Sequence, residues 1–150
     1  MSDGSQTITV TPVQRRDYPF GVDFGAGVPV LVVDEAQPLG DGTGPTPVQL
    51  VAAAVGNCLG ASRIFVLRKF KEQPGPLHCE VSVEVVRNPQ GRLGVLSMQA
   101  RLLLGDPAES LVRLSRALGQ FEDFCTVTQS VREAFPVAVQ VFDSHGVQMQ

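Results

Sequence analysis

From Gly42 to Ser62 the chain carries no charged side chain, and Val48 to Ala61 within that run reads as continuous, almost wholly apolar helix. A helix that is apolar around its circumference has no face to give to water, so something must enclose it. Its fourteen continuous residues fall short of the roughly 20 that cross a bilayer, which predicts a buried core helix and no membrane association. Thr46 stands as N-cap and Pro47 at the first helical position. Gln73-Pro74-Gly75-Pro76 is the stop signal, so the helix is predicted over about 47–71. The few strands of one short chain do not suffice to cover it, which predicts an obligate homodimer.

The rest of the pattern supplies strands and shorter helices. Thr7–Thr11 alternates in β-branched residues, Phe20, Val22 and Phe24 share one face of a second strand, and 29–33 forms a third. Gly25-Ala26-Gly27 joins the last two as hairpin chemistry. Residues 77–104 predict a β-hairpin turned by Asn88-Pro89-Gln90-Gly91. Leu77, Cys79, Val81, Val83 and Val85 face inward on one arm, and Leu96, Met98, Ala100, Leu102 and Leu104 on the other. Asp106-Pro107-Ala108-Glu109 reads as a capping box with Asp106 as the cap, opening a helix whose buried edge is Leu111, Leu114 and Leu118 and whose end is Gly119. A shorter helix follows Cys125, and a last strand uses Val137, Val139 and Val141. The expected fold is α+β, a single domain over 1–150 in the order βββ-α-ββ-α-α-β.

Composition excludes several function classes. Twelve Lys and Arg against fifteen Asp and Glu leave a net charge of -3 without a basic block, so no nucleic-acid partner is expected. Three cysteines without a Cys-x-x-Cys pair argue against a secreted disulfide scaffold and a zinc knuckle. Residues 1–14 lack a basic segment leading into an apolar one, so no signal peptide is read and a cytoplasmic protein is expected.

Chemistry then rests on thiols. Cys58 shares a helical stripe with Val51, Val55, Ser62 and Phe65. On pattern alone it is either a small buried hydrophobe or a nucleophile that needs a cation brought from elsewhere, because mid-helix it gains nothing from the helix dipole. Cys125 precedes a helix start, where a thiolate faces free backbone N–H groups, or else it fills space at a cap. Cys79 alternates with valines and reads as core. His78 and His145 have no partner at metal-ligand spacing in the sequence, so no metal site is expected.

The run Thr46-Pro47-Val48-Gln49-Leu50-Val51-Ala52-Ala53-Ala54-Val55-Gly56-Asn57-Cys58 resembles the Pro-x-x-Leu-x-x-Ala-x-x-x-x-Cys helix of the OsmC/Ohr family of osmotically inducible and organic-hydroperoxide-resistance proteins. Cys125-Thr126-Val127-Thr128 is similar to that family's second signature, and element order agrees from about 7 to 143. The resemblance implies an intertwined dimer with each sheet wrapped around paired central helices. It also implies a thiol peroxidase and oxidoreductase of oxidative stress, with Cys58 peroxidatic and Cys125 resolving. An Arg from the N-terminal strands would hold the thiolate: Arg16, or else Arg15. No bound cofactor is implied, only an organic hydroperoxide substrate and an external dithiol reductant such as a lipoyl group.

Two positions depart from the pattern. Where peroxidase members carry a Glu to orient the Arg, this chain has Val48 followed by the neutral Gln49, and Thr126 stands where a Pro often follows the second Cys. Asp34, Glu35 and Glu122 are the carboxylates that would replace that Glu. The alternative function is a non-catalytic dimeric binding or stress module that kept the fold.

Overall fold

The structure, a computed structural model, describes residues 4–111 and 113–150, apart from the side chains of Leu114 and Ser115. Leu114, expected on a buried helix edge, therefore lies outside the described side chains. The chain forms two compact units, 1–50 and 51–150.

In the first unit β1 (Thr11–Gln14), β2 (Phe20–Asp23) and β3 (Leu31–Val33) make an antiparallel sheet in that order. The first strand begins where the expected one ended. Thr11–Gln14 has β2 to pair with, whereas no described strand accompanies residues 7–10, and alternation without a partner does not make a strand. Gly25 and Gly27 take φ of +106° and +80° in the β2–β3 connection, a backbone that L side chains rarely adopt. The loop after β3 is organised by the buried Asp34 carboxylate, which accepts from the N–H groups of Glu35 (2.8 Å), Asp41 (3.1 Å) and Thr43 (3.0 Å) and from the Thr43 hydroxyl (2.8 Å). Burial raises the pKa of Asp34, but these donors outweigh it and hold the carboxyl below its ordinary value.

The chain then enters α1 (Pro47–Lys69). Thr46 and Gln49 form a capping box: the Gln49 N–H donates to Thr46 Oγ1 (3.3 Å) and the Thr46 N–H donates to Gln49 Oε1 (2.8 Å). At 23 residues α1 is continuous well past Ala61, so by length and composition it is able to cross a membrane, contrary to the expectation that it is too short. Here Val55, Leu59, Val66 and Leu67 instead join the core of the second unit.

That core lies against a second sheet, ordered β4 (Leu77–Arg87), β5 (Leu93–Leu104), β6 (Val137–Phe142), with β4–β5 antiparallel and β5–β6 parallel. Met98, Ala100, Leu102 and Leu104 of β5 are buried as the alternation predicts. Near the hairpin end the alternation fails. A bulge between Glu84 and Val85 shifts the register, leaving Val85 40% and Leu96 49% exposed while Val86 and Val95 become half-buried.

Between β5 and β6 run a 3-10 turn (Ala108–Ser110), α2 (Leu114–Gln120), a second 3-10 turn (Phe121–Phe124) and α3 (Thr126–Val131). Asp106 does not cap the first of these. Its carboxylate accepts from the Gly75 N–H, and the Ala108 N–H donates to Asp143 (3.3 Å) instead. The cap thus comes from a residue far along the chain, and a local motif cannot reveal it. Gly119 lies inside α2, one residue before its end.

Candidate active site

Within the second unit the two expected thiols are neighbours. Cys58 is half-buried on α1, and Cys125, wholly buried, stands immediately before α3. The Cys125 thiol donates to the Thr128 hydroxyl (2.9 Å), and Cys58 is near enough to act on its ionisation. Burial pushes the Cys125 thiol above its ordinary pKa. The Thr128 hydroxyl pulls it back, and Cys58 adds to the rise. All three cysteines are free thiols.

Cys58 opens outward. With Ala61, Ser62, Phe65 and Phe124 it lines a concavity of about 370 Å3. The Phe65 and Phe124 rings meet at 5.3 Å and 58°, and the Lys69 ammonium lies 5.6 Å from the Phe124 ring centre. This arrangement places Cys58 in the lining of an apolar, aromatic-walled opening, with the Lys69 ammonium over one of its rings, a setting suited to a hydrophobic electrophile.

On the opposite flank α1 approaches β4 through glycines. A Cβ at Gly56 would lie 2.9 Å from Val81 Cγ2, and one at Gly60 would lie 3.1 Å from Leu77 Cδ2. Beside that contact runs a groove of about 550 Å3 lined by small helix residues, among them Ala53, Asn57 and Ala61, together with Cys79 and Val81. Cys79 is half-buried there, and burial raises its thiol pKa.

The N-terminal arginines belong to the first unit. Arg16 donates to the Asp41 carboxylate at 3.1 Å in an exposed pair. The Arg15 guanidinium lies across Gly21, where a Cβ would be 3.0 Å from its Nε. Of the carboxylates considered as substitutes, Asp34 is occupied by its loop, and Glu122 pairs with Arg132 at 3.3 Å. Gln49 is spent in the capping box.

Sequence reasoning missed Arg63. It is wholly buried on α1, its guanidinium 5.5 Å from the Phe121 ring centre, and none of its three nitrogens has an acceptor among the described residues. Burial draws its pKa down to about 10, so it stays charged at neutral pH. The signal was present: Arg63 shares a stripe with Leu59, Val66 and Leu67, the face that a core helix buries. His145 was also read without metal-ligand partners, yet one of its ring nitrogens lies within 4.8 Å of a carboxylate oxygen of Glu109 and one of Asp143. Asp143 is already engaged by the N–H groups of His145 and Val147 (both 2.9 Å) as a turn organiser.

The family model described as OsmC-like protein matches residues 40–140. No curated protein matches the sequence. An OsmC-like protein from Mycoplasma pneumoniae superposes with a TM-score of 0.79 at 13% identity, over 93% of this chain and 99% of that one. An organic hydroperoxide resistance protein from Elizabethkingia anophelis gives 0.72 at 18% identity, over 93% and 97%. The organic hydroperoxide resistance protein OhrB of Bacillus subtilis gives 0.67 at 19% identity, over 91% and 98%. At these identities the likeness is one of fold.

Proposed function

Since this chain belongs to the OsmC-like protein family, we propose that it is a cysteine-based peroxidase that reduces organic hydroperoxides. The observation that carries the reading is a half-buried Cys58 lining an aromatic-walled concavity, with the buried Cys125 near enough to act on it. In the proposed cycle the Cys58 thiolate attacks the outer oxygen of the hydroperoxide. The O–O bond breaks, alkoxide leaves and takes a proton as alcohol, and Cys58 becomes a sulfenic acid. Cys125 then attacks that sulfur, expelling water and closing a disulfide, and an external dithiol, a lipoyl group by family analogy, reduces the pair again. The apolar walls favour an organic over an inorganic peroxide. Arg15 or Arg16 supplies the cation for the thiolate in this proposal, and the setting is cytoplasmic, where thiols are kept reduced.

The functional form in the same proposal is a homodimer. Val51, Ala53, Ala54, Asn57, Ala61 and Phe65 of α1 remain exposed, and the first unit exposes Tyr18, Phe20 and Phe24 around an apolar concavity of about 500 Å3. So much apolar surface on one short chain suits burial against a second copy. Sedimentation should give a dimer; a folded monomer of 16.0 kDa at micromolar concentration would defeat this part of the proposal.

The decisive test is the asymmetry of two serine variants. Cys58→Ser should lower peroxide turnover at least about a thousandfold, because a hydroxyl does not replace a thiolate. Cys125→Ser should complete one turnover and stall, leaving a sulfenic acid that a dimedone-type probe traps. A wild type that forms no peroxide-dependent Cys58–Cys125 disulfide is not this enzyme. The loss of the family carboxylate at Val48 and Gln49 favours the second reading, a non-catalytic binding module, which predicts two serine variants indistinguishable from wild type.

A further inference from the structure

We propose that Thr128 is a positioning residue for Cys125: its buried hydroxyl accepts the thiol proton at rest and turns to donate to the thiolate when Cys125 attacks. The inference rests on the peroxidase reading above. Both side chains are wholly inaccessible, and the sulfur and hydroxyl oxygen are 2.9 Å apart. A hydroxyl is both donor and acceptor, so the same contact serves both states of the sulfur without moving a heavy atom. A valine of the same shape would hold the packing and lose that ability.

The placement answers a difficulty in the proposed cycle. A buried thiol beside a second thiol resists ionisation, which protects Cys125 while Cys58 is reduced but opposes its attack afterwards. Attack requires Cys125 to give up its proton, form the S–S bond and break the S–O bond of the Cys58 sulfenic acid. The departing hydroxide takes the proton and leaves as water, so atoms and electrons balance without a further reactant. A donor fixed on the thiolate lowers the cost of that step, and the Thr128 N–H acts in the same direction. Other charged groups on the neighbouring elements are Glu122, Asp123, Arg132, Arg63, Arg68 and Lys69, the last two exposed in the final turn of α1 with Lys69 over the Phe124 ring. Glu122 is paired with Arg132, Asp123 is exposed, and Arg63 lies over Phe121; the ionisable group acting on Cys125 is Cys58.

The test uses Thr128→Val and Thr128→Ser in the full chain, each compared with wild type for unfolding temperature. After a single addition of cumene hydroperoxide, Thr128→Val should form the Cys58 sulfenic acid at the wild-type rate. Its disulfide should close about tenfold more slowly, a hydrogen bond to a charged group being lost, and Thr128→Ser should restore the rate. In a Cys58→Ser, Cys79→Ala background the ultraviolet absorbance of the Cys125 thiolate should appear about one pH unit higher when Thr128→Val is added than when Thr128 is kept. Tyr18 contributes equally to both curves. A thiolate midpoint and a closure rate that Thr128→Val leaves unmoved would overturn the proposal, as would a loss that Thr128→Ser does not restore. A shifted midpoint in a protein whose wild type closes no disulfide would keep Thr128 as the group that sets Cys125 acidity. It would remove the peroxidase reading beneath it.

Discussion

Two flanks of α1 have been built on opposite principles. Against β4 the helix has given up side chains at Gly56 and Gly60 so that Val81 and Leu77 press onto its backbone. Toward Phe121 and Cys125 buried polar groups gather, and these fare unequally: the Cys125 thiol is answered by Thr128, while the Arg63 guanidinium on the helix is answered only by an aromatic face among the described residues. One flank fixes where the helix lies, and the other bears reactivity and an unmet charge. Close packing tolerates no extra methylene, whereas a buried charge without an acceptor is a standing cost.

The largest expected effect comes from the second flank. Arg63→Met keeps the length of the side chain and removes the charge, and should raise unfolding free energy by about 3 kcal/mol. For a chain of this size that is several degrees in melting temperature. A melting temperature that falls instead would mean that an acceptor from outside this chain reaches Arg63 in solution, and the contrast between the flanks would vanish. The first flank predicts the opposite sign. Gly56→Ala gains helix propensity worth about 1 kcal/mol, but its methyl meets Val81 Cγ2 on a stiff β-branched side chain, and overpacking costs about 1–3 kcal/mol. A net loss near 1 kcal/mol is expected in urea unfolding. Gly119→Ala in α2, where an added Cβ meets nothing within 4 Å, should instead gain about 0.5–1 kcal/mol. Equal outcomes at the two glycines would show that β4 does not hold the helix.

Much of this arrangement is legible in the sequence, and the failures have a common cause. Helix α1 starts at Pro47 as expected because its cap is local, with Thr46 and Gln49 one turn apart. The hairpin arms follow from alternation and from Asn88-Pro89-Gln90-Gly91. What escaped was set by partners distant in sequence. The bulge at Glu84 and Val85 is settled by pairing with β5, Asp106 is taken up by Gly75, and Asp143 supplies the cap at Ala108. Arg63 escaped for another reason: an isolated arginine in an apolar run reads as a solvated end, and only the stripe it shares with Leu59 and Val66 says otherwise. The nearness of Cys58 to Cys125 is not legible in their spacing, which does not force the start of α3 to lie near α1.

The smallest expected effect is on pH dependence, and it compares the flanks through their thiols. Cys79 on the β4 side and Cys125 on the other both have pKa values raised by burial. Below the ordinary thiol value, roughly pH 8.5, both are protonated whether the chain is folded or not, and their contribution to stability is fully present. As pH rises past that value the unfolded chain releases its thiol protons first, so stability falls until the folded thiols have followed. Arg63 acts with the opposite sign at higher pH: its folded value near 10 lies below the unfolded one, so stability recovers as pH climbs beyond it. Unfolding curves of the wild type should therefore weaken above about pH 8.5. Cys79→Ala and Cys125→Ala should each remove part of that loss, while Cys79→Ala leaves peroxide turnover unchanged. If Cys79→Ala removes none of it, the β4 flank is more open to water than its glycine contacts imply, and the two sides of α1 differ less than their packing suggests.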